Sequence, residues 1–188
     1  MVEHEDITPN DLNDWLQEKK RKEQQKTRSE KWKAELQEKL PKMLKSQERE
    51  HDWSSEESLP NSEGRQKVDI LGKARAQDHY VFIELEAERM TCVRNVIKAW
   101  MYVAEKTDSK PVLFIHVFSP SFNVSQKRRG REESIFVGER AQNDTSGKLT
   151  YRHIESDRWP TETEYATVID SLVQKFVGFL AEYSRSSR

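Results

Sequence analysis

The 188-residue chain has one cysteine, Cys92. That excludes an intrachain disulfide and any CxxC metal site, and it fits a reducing compartment. No apolar run approaches the ~18 residues of a membrane span. The start, MVEHEDITPND, is acidic, whereas an export leader is basic and then apolar. A cytoplasmic protein with no membrane partner is therefore expected. Metal-binding imidazole patterns are also missing. The five histidines, His4, His51, His79, His116 and His153, form neither HxH nor HExxH, so no zinc site built on histidine is expected. There is no excess of charge either, because the formal net charge of −1 neither requires nor excludes a polyanionic partner. No internal repeat is visible.

What is present is polar. Charged residues make up 35% and hydrophobic ones 34%, so some segment must be mostly surface, while five Trp and seven Phe argue against wholesale disorder. The length suits one domain with an appended arm, at ~100–200 residues per domain. The spacing divides the chain into a helical N-terminal arm, residues 1–48, and an α/β core, residues 49–188. The arm opens with Thr8 as N-cap and Pro9 at the first helical position, then runs without another Pro until Pro41. Leu12, Trp15 and Leu16 form one short apolar stripe and Trp32, Leu36 and Leu40 another. Lys19 to Glu30 is nearly devoid of apolar residues, which rules out a heptad and reads as a solvated helix. Its surplus of Lys and Arg over Glu leaves a nucleic-acid contact open.

From Lys45 to Gly64 the chain reads as a connection rich in Ser and Glu. RQKVDILGKARA and HYVFIELEAE then predict two strands paired as a hairpin. A helix is expected from about Thr91 to Lys106, with Val93, Ile97, Trp100, Met101 and Ala104 on its apolar stripe and Asn95, Lys98 and Tyr102 elsewhere. The unbroken apolar run KPVLFIHVF suits a buried parallel strand, so strand, helix and strand form a βαβ crossover. SPSFNVSQKRRGR reads as a loop, EESIFVGERAQ as a short helix and KLTYRHI as a further strand. A capping box, Thr161 with Glu164, opens the last helix, whose wide apolar face fits the sheet or a second subunit.

The fold class expected from this order is α/β: a mixed central β-sheet flanked by helices, with a long N-terminal helical arm. Alternation along a strand points Glu84 and Glu86 the same way, and pairing with the preceding strand brings Asp69 beside them. Like charges so close are costly unless a cation lies among them. Oxygen ligands select a hard cation, and Mg²⁺ needs only one or two carboxylates plus water and phosphate. Alternation of Phe82, Glu84, Glu86 and Glu88 against Val81, Ile83, Leu85 and Ala87 is also what any half-exposed antiparallel strand shows. A solvated acidic face therefore stands beside the metal-site reading.

VDI, then FIELE some fifteen residues on, the helical CVRNVIKAW and an apolar strand together resemble the PD-(D/E)xK nuclease superfamily, over roughly Arg65 to Phe118. The resemblance implies a restriction-endonuclease-like order of helix, three-stranded meander, helix and strand. It makes Asp69 and Glu84 metal ligands, with the Leu85 carbonyl a further one. The family's proline before the aspartate is Val68 here, and its lysine is Glu86, as in the E-x-E variants of some restriction enzymes. One expected strand before Glu84 is missing, with Ser62 to Lys67 its candidate place. Lys98 is the better substitute for the missing lysine, because Lys73 lies ~13 Å along the strand from Asp69 at ~3.3 Å per residue. His116 is expected as a hydrogen-bonded core histidine and Asn95 as solvent-facing or locally capping; Glu56 and Glu57 could donate a carboxylate from the preceding helix, as in some nucleases of this fold, and are kept outside the main assignment.

The function these residues imply is a Mg²⁺-dependent endonuclease acting on duplex DNA as a homodimer, which the N-terminal helix would clasp. Asp69, Glu84, Glu86 and Lys98 would carry the chemistry. Arg89, Arg94 and the basic loop with Lys127, Arg128, Arg129 and Arg131 would hold the DNA backbone. The alternative is a noncatalytic nucleic-acid-binding or protein-interaction module of similar fold. Single strands and RNA are not separable from duplex DNA at this level.

Overall fold

A computed structural model describes residues 9–59, 66–76, 78–87, 92–105 and 109–186. The described elements run α1 (Pro9–Gln47), β1 (His51–Ser58), β2 (Lys67–Ala74), β3 (Tyr80–Glu86), α2 (Val93–Glu105), β4 (Val112–Phe118), a 3-10 turn (Pro120–Asn123), α3 (Ser125–Asp144), β5 (Leu149–Glu155) and α4 (Tyr165–Ser186). The strands form one sheet in the order β1-β2-β3-β4-β5. Its first three strands are antiparallel, and β3, β4 and β5 are parallel. This is an α/β fold, a mixed sheet flanked by helices. No helix among the described residues is long and apolar enough to cross a membrane.

The strand period of two sorts the core into two layers. Val81, Ile83 and Leu85 of β3 and Leu113, Ile115 and Val117 of β4 face α1 and α4. Phe82 and Phe114 face the opposite way, among α2 residues Val96, Ala99 and Val103 and Ala141 of α3. The β4 run is buried on both faces because a parallel strand at the sheet centre has a helix layer on each side.

Helix α1 departs from a purely solvated arm. Trp32, Leu36, Leu40 and Leu44 recur every fourth residue, are fully buried, and pack with Ile169, Val173 and Phe176 of α4 over the sheet. The helix also continues through Pro41, although a proline inside a helix removes a hydrogen bond at a cost of ~3 kcal/mol. Burial of Leu40 and Leu44, at ~1.5–3 kcal/mol each, offsets that cost. The wide face of α4 is used in the same contact, on the sheet side of the molecule.

Three further elements differ from what the sequence predicts. The edge strand occupies His51–Ser58, inside the stretch read as a connection, and pairs with β2 from His51↔Ala74 to Ser58↔Lys67. It carries little apolar residue because only one of its edges is paired, and polar side chains on an edge strand discourage further pairing. Helix α2 buries Val96, Ala99, Tyr102 and Val103, whereas Ile97 and Met101 are 40% and 42% exposed. The helix is apolar on two sides, and periodicity does not choose between them.

Helix α3 absorbs the second half of the predicted loop, from Ser125, and the short helix after it, while the first half forms the 3-10 turn. Its inward stripe is Gly130, Ser134, Gly138 and Ala141. These small residues let its backbone come close, and a Cβ on Gly138 would lie 2.5 Å from the Tyr151 ring of β5. Hydrophobic periodicity is blind to a face buried through small size.

Leu40→Ala tests whether α1 is core or appendage. Denaturant unfolding should show a loss of ~2–5 kcal/mol, the usual cost of emptying a buried leucine site. A loss within about 0.5 kcal/mol, as for exposed positions, would return the helix to the status of an arm.

Candidate functional site at the parting of two strands

The β2–β3 ladder runs from Lys73↔Tyr80 to Ile70↔Ile83 and then stops. The next opposed pair in that register is Asp69 and Glu84. In place of a ladder bond, the Leu85 N–H donates to the Asp69 carboxylate at 2.8 Å. The strands therefore part where the acidic side chains begin, leaving a notch at the carboxyl end of β3. A residue's N–H and C=O leave a strand on the same side. The Leu85 carbonyl accordingly points into the notch as well.

Each helix layer sends a cation into this notch. From α1, Lys33 Nζ donates to Asp69 at 2.8 Å and Gln37 Nε2 at 2.9 Å. From α2, Lys98 Nζ donates to Glu84 Oε1 at 2.5 Å, to the Lys67 carbonyl at 2.5 Å and to Asn95 Oδ1 at 3.1 Å. Glu86 Oε1 accepts from Asn95 Nδ2 at 2.6 Å and is 2.9 Å from His116 Nε2 on β4. Asp69, Glu84, Glu86 and Lys98 are thus brought together. Asp69 is held from the α1 side, and the other three lie toward α2.

The two glutamates are 3% and 4% exposed, so neither belongs to a solvated acidic face. Their environments push them in opposite directions. Burial raises Glu84 to about 8, reinforced by the charges of Asp69 and Glu86 and only partly countered by Lys98. Burial acts on Glu86 too, but the hydrogen bond and charge of His116, with Asn95 and the charge of Lys33, outweigh it and hold Glu86 below the usual carboxylate range. Neighbouring carboxyls separated in this way suit different roles in proton transfer.

Several contributors were not visible in the sequence reading. Lys33 and Gln37 come from a helix 36 and 32 residues before Asp69, a separation no local motif covers. Asn95, expected at the surface, bridges Lys98 and Glu86. His116 is the hydrogen-bonded core histidine expected, and its partner is Glu86. Its only signal was a polar residue inside an apolar strand.

The basic residues fare differently. Arg94 is exposed on the first turn of α2. Arg89 lies outside the described residues. Lys127, Arg128, Arg129 and Arg131 sit on α3 and not on a loop, because the small-residue stripe continues the helix through Gly130. Arg128 and Arg129 each pair with a glutamate one turn on, Glu132 and Glu133, at 2.8 Å. Arg131 is tied to Glu155 at 2.7 Å and to Asn123 at 3.1 Å. Much of this run's charge is therefore met within the protein.

Among the described residues, no three His, Cys, Asp or Glu side chains form a ready-made metal cage. The oxygen donors facing the notch are the carboxylates of Asp69 and Glu84 and the Leu85 carbonyl. They fit a hard cation that keeps most of its water, as Mg²⁺ does. Cys92 is not among them: it is buried, and its Sγ donates to the Gly130 carbonyl at 3.1 Å.

No protein-family model matches the chain, and neither a curated protein nor a solved structure matches it significantly.

The raised Glu84 has a thermodynamic signature. A carboxyl whose pKa is higher folded than unfolded favours folding while protonated, so this contribution fades as pH rises from about 4.5 through about 8. Without metal, Glu84→Gln should melt several degrees above the wild type at about pH 9, since 1 kcal/mol moves the midpoint by ~2–4 °C in a chain of this size. The difference should shrink toward pH 4.5. A difference that is constant across this range contradicts the assignment.

Proposed function

We propose that the protein is a metal-dependent endodeoxyribonuclease of the PD-(D/E)xK type, cutting duplex DNA in the cytosol. The observation that carries the reading is the Asp69–Glu84 pair flanking the notch where β2 and β3 part, with an ammonium group, Lys98, set on Glu84. The strand–strand–helix–strand order around it agrees with the resemblance, and β1 supplies the first strand of the meander. Open α/β sheets bind ligands outside the carboxyl ends of their parallel strands, and the notch lies at that end.

Asp69, Glu84 and the Leu85 carbonyl would hold Mg²⁺, which supplies charge for the phosphate oxygens and lowers the pKa of bound water. Glu86, kept ionised by His116 and Asn95, accepts the proton of the attacking water. Lys98 sits at the position from which it neutralises charge building on the phosphate, and so compensates for the absent motif lysine. Asn95 fixes the spacing between Lys98 and Glu86 through both ends of its amide. Arg94, exposed on the same helix, would meet the backbone of the bound strand. Cutting both strands of a duplex is most simply done by two such sites, which a two-fold homodimer provides.

Supercoiled plasmid incubated with the protein should be cut with Mg²⁺ and left intact with EDTA. Asp69→Asn, Glu84→Ala and Lys98→Ala should each lower the rate by ~10²-fold or more, the scale of losing one electrostatic or acid–base group. Cutting by Glu84→Ala at the wild-type rate would falsify the site. DNA binding with no cutting under any metal would leave the noncatalytic module as the function. Light scattering during size-exclusion chromatography should report a mass near twice that of the 22.2 kDa chain.

A further inference from the structure

Beyond Ser29, toward its N-terminus, every described α1 side chain is exposed. Lys33 marks the point where the helix meets the notch. At 1.5 Å per residue, Arg28 lies ~8 Å and Arg21 ~18 Å further along the axis. Both are exposed. With Gln24 between them, they line a cavity of about 310 Å³ whose opposite wall is Val124 and Trp159. Val124 follows the 3-10 turn after β4, and Trp159 follows β5. The groove is therefore at the carboxyl end of the parallel strands, the end that holds Glu84 and Glu86.

Among the described residues, neither Arg21 nor Arg28 forms a salt bridge. By contrast, Arg128 and Arg129 on α3 are each met by a glutamate of their own helix. Two guanidinium groups one heptad apart share a helix face, since seven residues make nearly two turns. An indole on the facing wall adds an aromatic surface that a base or sugar can cover. Their charge is positive, their spacing is rigid, and along the helix axis they run toward the turn that bears Lys33, which itself projects from another side of the helix.

We infer that this groove, with Arg21 and Arg28 on one wall and Trp159 on the other, binds the phosphate backbone of a polynucleotide and guides it to the site. The substrate class rests on the nuclease reading. The assignment also moves the main backbone contact from the basic run on α3 to the outer half of α1. Guanidinium forks bind phosphate oxygens in pairs, and both side chains are free to do so without breaking an internal salt bridge. Gln24 adds an uncharged hydrogen-bonding group midway.

Binding can be measured apart from cutting. Fluorescence anisotropy in EDTA, with labelled duplex DNA, single-stranded DNA and RNA of equal length, reads affinity at several salt concentrations. The double variant Arg21→Ala/Arg28→Ala should bind the preferred polynucleotide at least tenfold more weakly. Its log–log salt slope should fall by about 2, at ~0.9 for each phosphate no longer neutralised. Arg21→Lys/Arg28→Lys should keep most of the slope, and Arg128→Ala/Arg129→Ala should bind within about twofold of the wild type. The three nucleic acids identify which polymer the groove takes. Wild-type affinity in the double alanine variant, or no wild-type binding to any of the three, overturns the inference; so does binding to anionic vesicles alone. Groove-dependent binding by a protein that never cuts would sustain the groove and remove the nuclease reading, so the two fail separately.

Discussion

The loss of β2–β3 pairing beyond Ile70 and Ile83 is the constraint on which the site depends. A sheet that continued regularly would set Asp69 and Glu84 directly opposite as a non-hydrogen-bonded pair, with the Leu85 N–H bonded to the β2 backbone and no space between the strands. Giving up the ladder there leaves the Leu85 N–H without a strand partner. The Asp69 carboxylate supplies one, so the gap contains no orphaned donor at that residue. One side chain thus satisfies the backbone and turns its charge toward the notch. Neighbouring pairings keep the strands in place: β1 is bonded to β2 on one side and β4 to β3 on the other.

Charge balance in the notch comes from both helix layers. Three acidic side chains, Asp69, Glu84 and Glu86, face two ammonium groups, Lys33 and Lys98, with His116 beneath. Removing one of the two cations from such a buried arrangement is more damaging than never having built it, because a desolvated carboxylate is left behind. The layers also link stability to chemistry. Lys33 lies next to Trp32, one of the most deeply buried side chains, so the helix that closes the core also fixes the cation on Asp69.

Much of this was legible in the sequence, for identifiable reasons. β3 and β4 announce themselves because β-branched and aromatic residues fill consecutive positions, and the spacing of Asp69 and Glu84 follows from a short hairpin. The order of strand, helix and strand implied the parallel crossover. What escaped notice was structure whose burial is not hydrophobic. β1 is an edge strand with polar side chains, and the inward face of α3 is small instead of apolar. The partners of the site, Lys33 and Gln37, are brought in by tertiary packing and carry no local pattern. On α2 the apolar residues on both sides make the wrong face equally attractive; Lys98 is a candidate from the sequence, whereas the place of Asn95 in the site is recognisable only once the helix is oriented.

The close seam of α3 reverses the ordinary rule for protein engineering. Replacing an interior glycine in a helix by alanine usually stabilises, because it lowers the entropy of the unfolded chain. At Gly138 the added methyl would be driven into the Tyr151 ring. The substitution that favours the helix in isolation would act as a wedge, prising α3 away from β5. A general preference for helix-forming residues would therefore fail first at the segment that looks least like core.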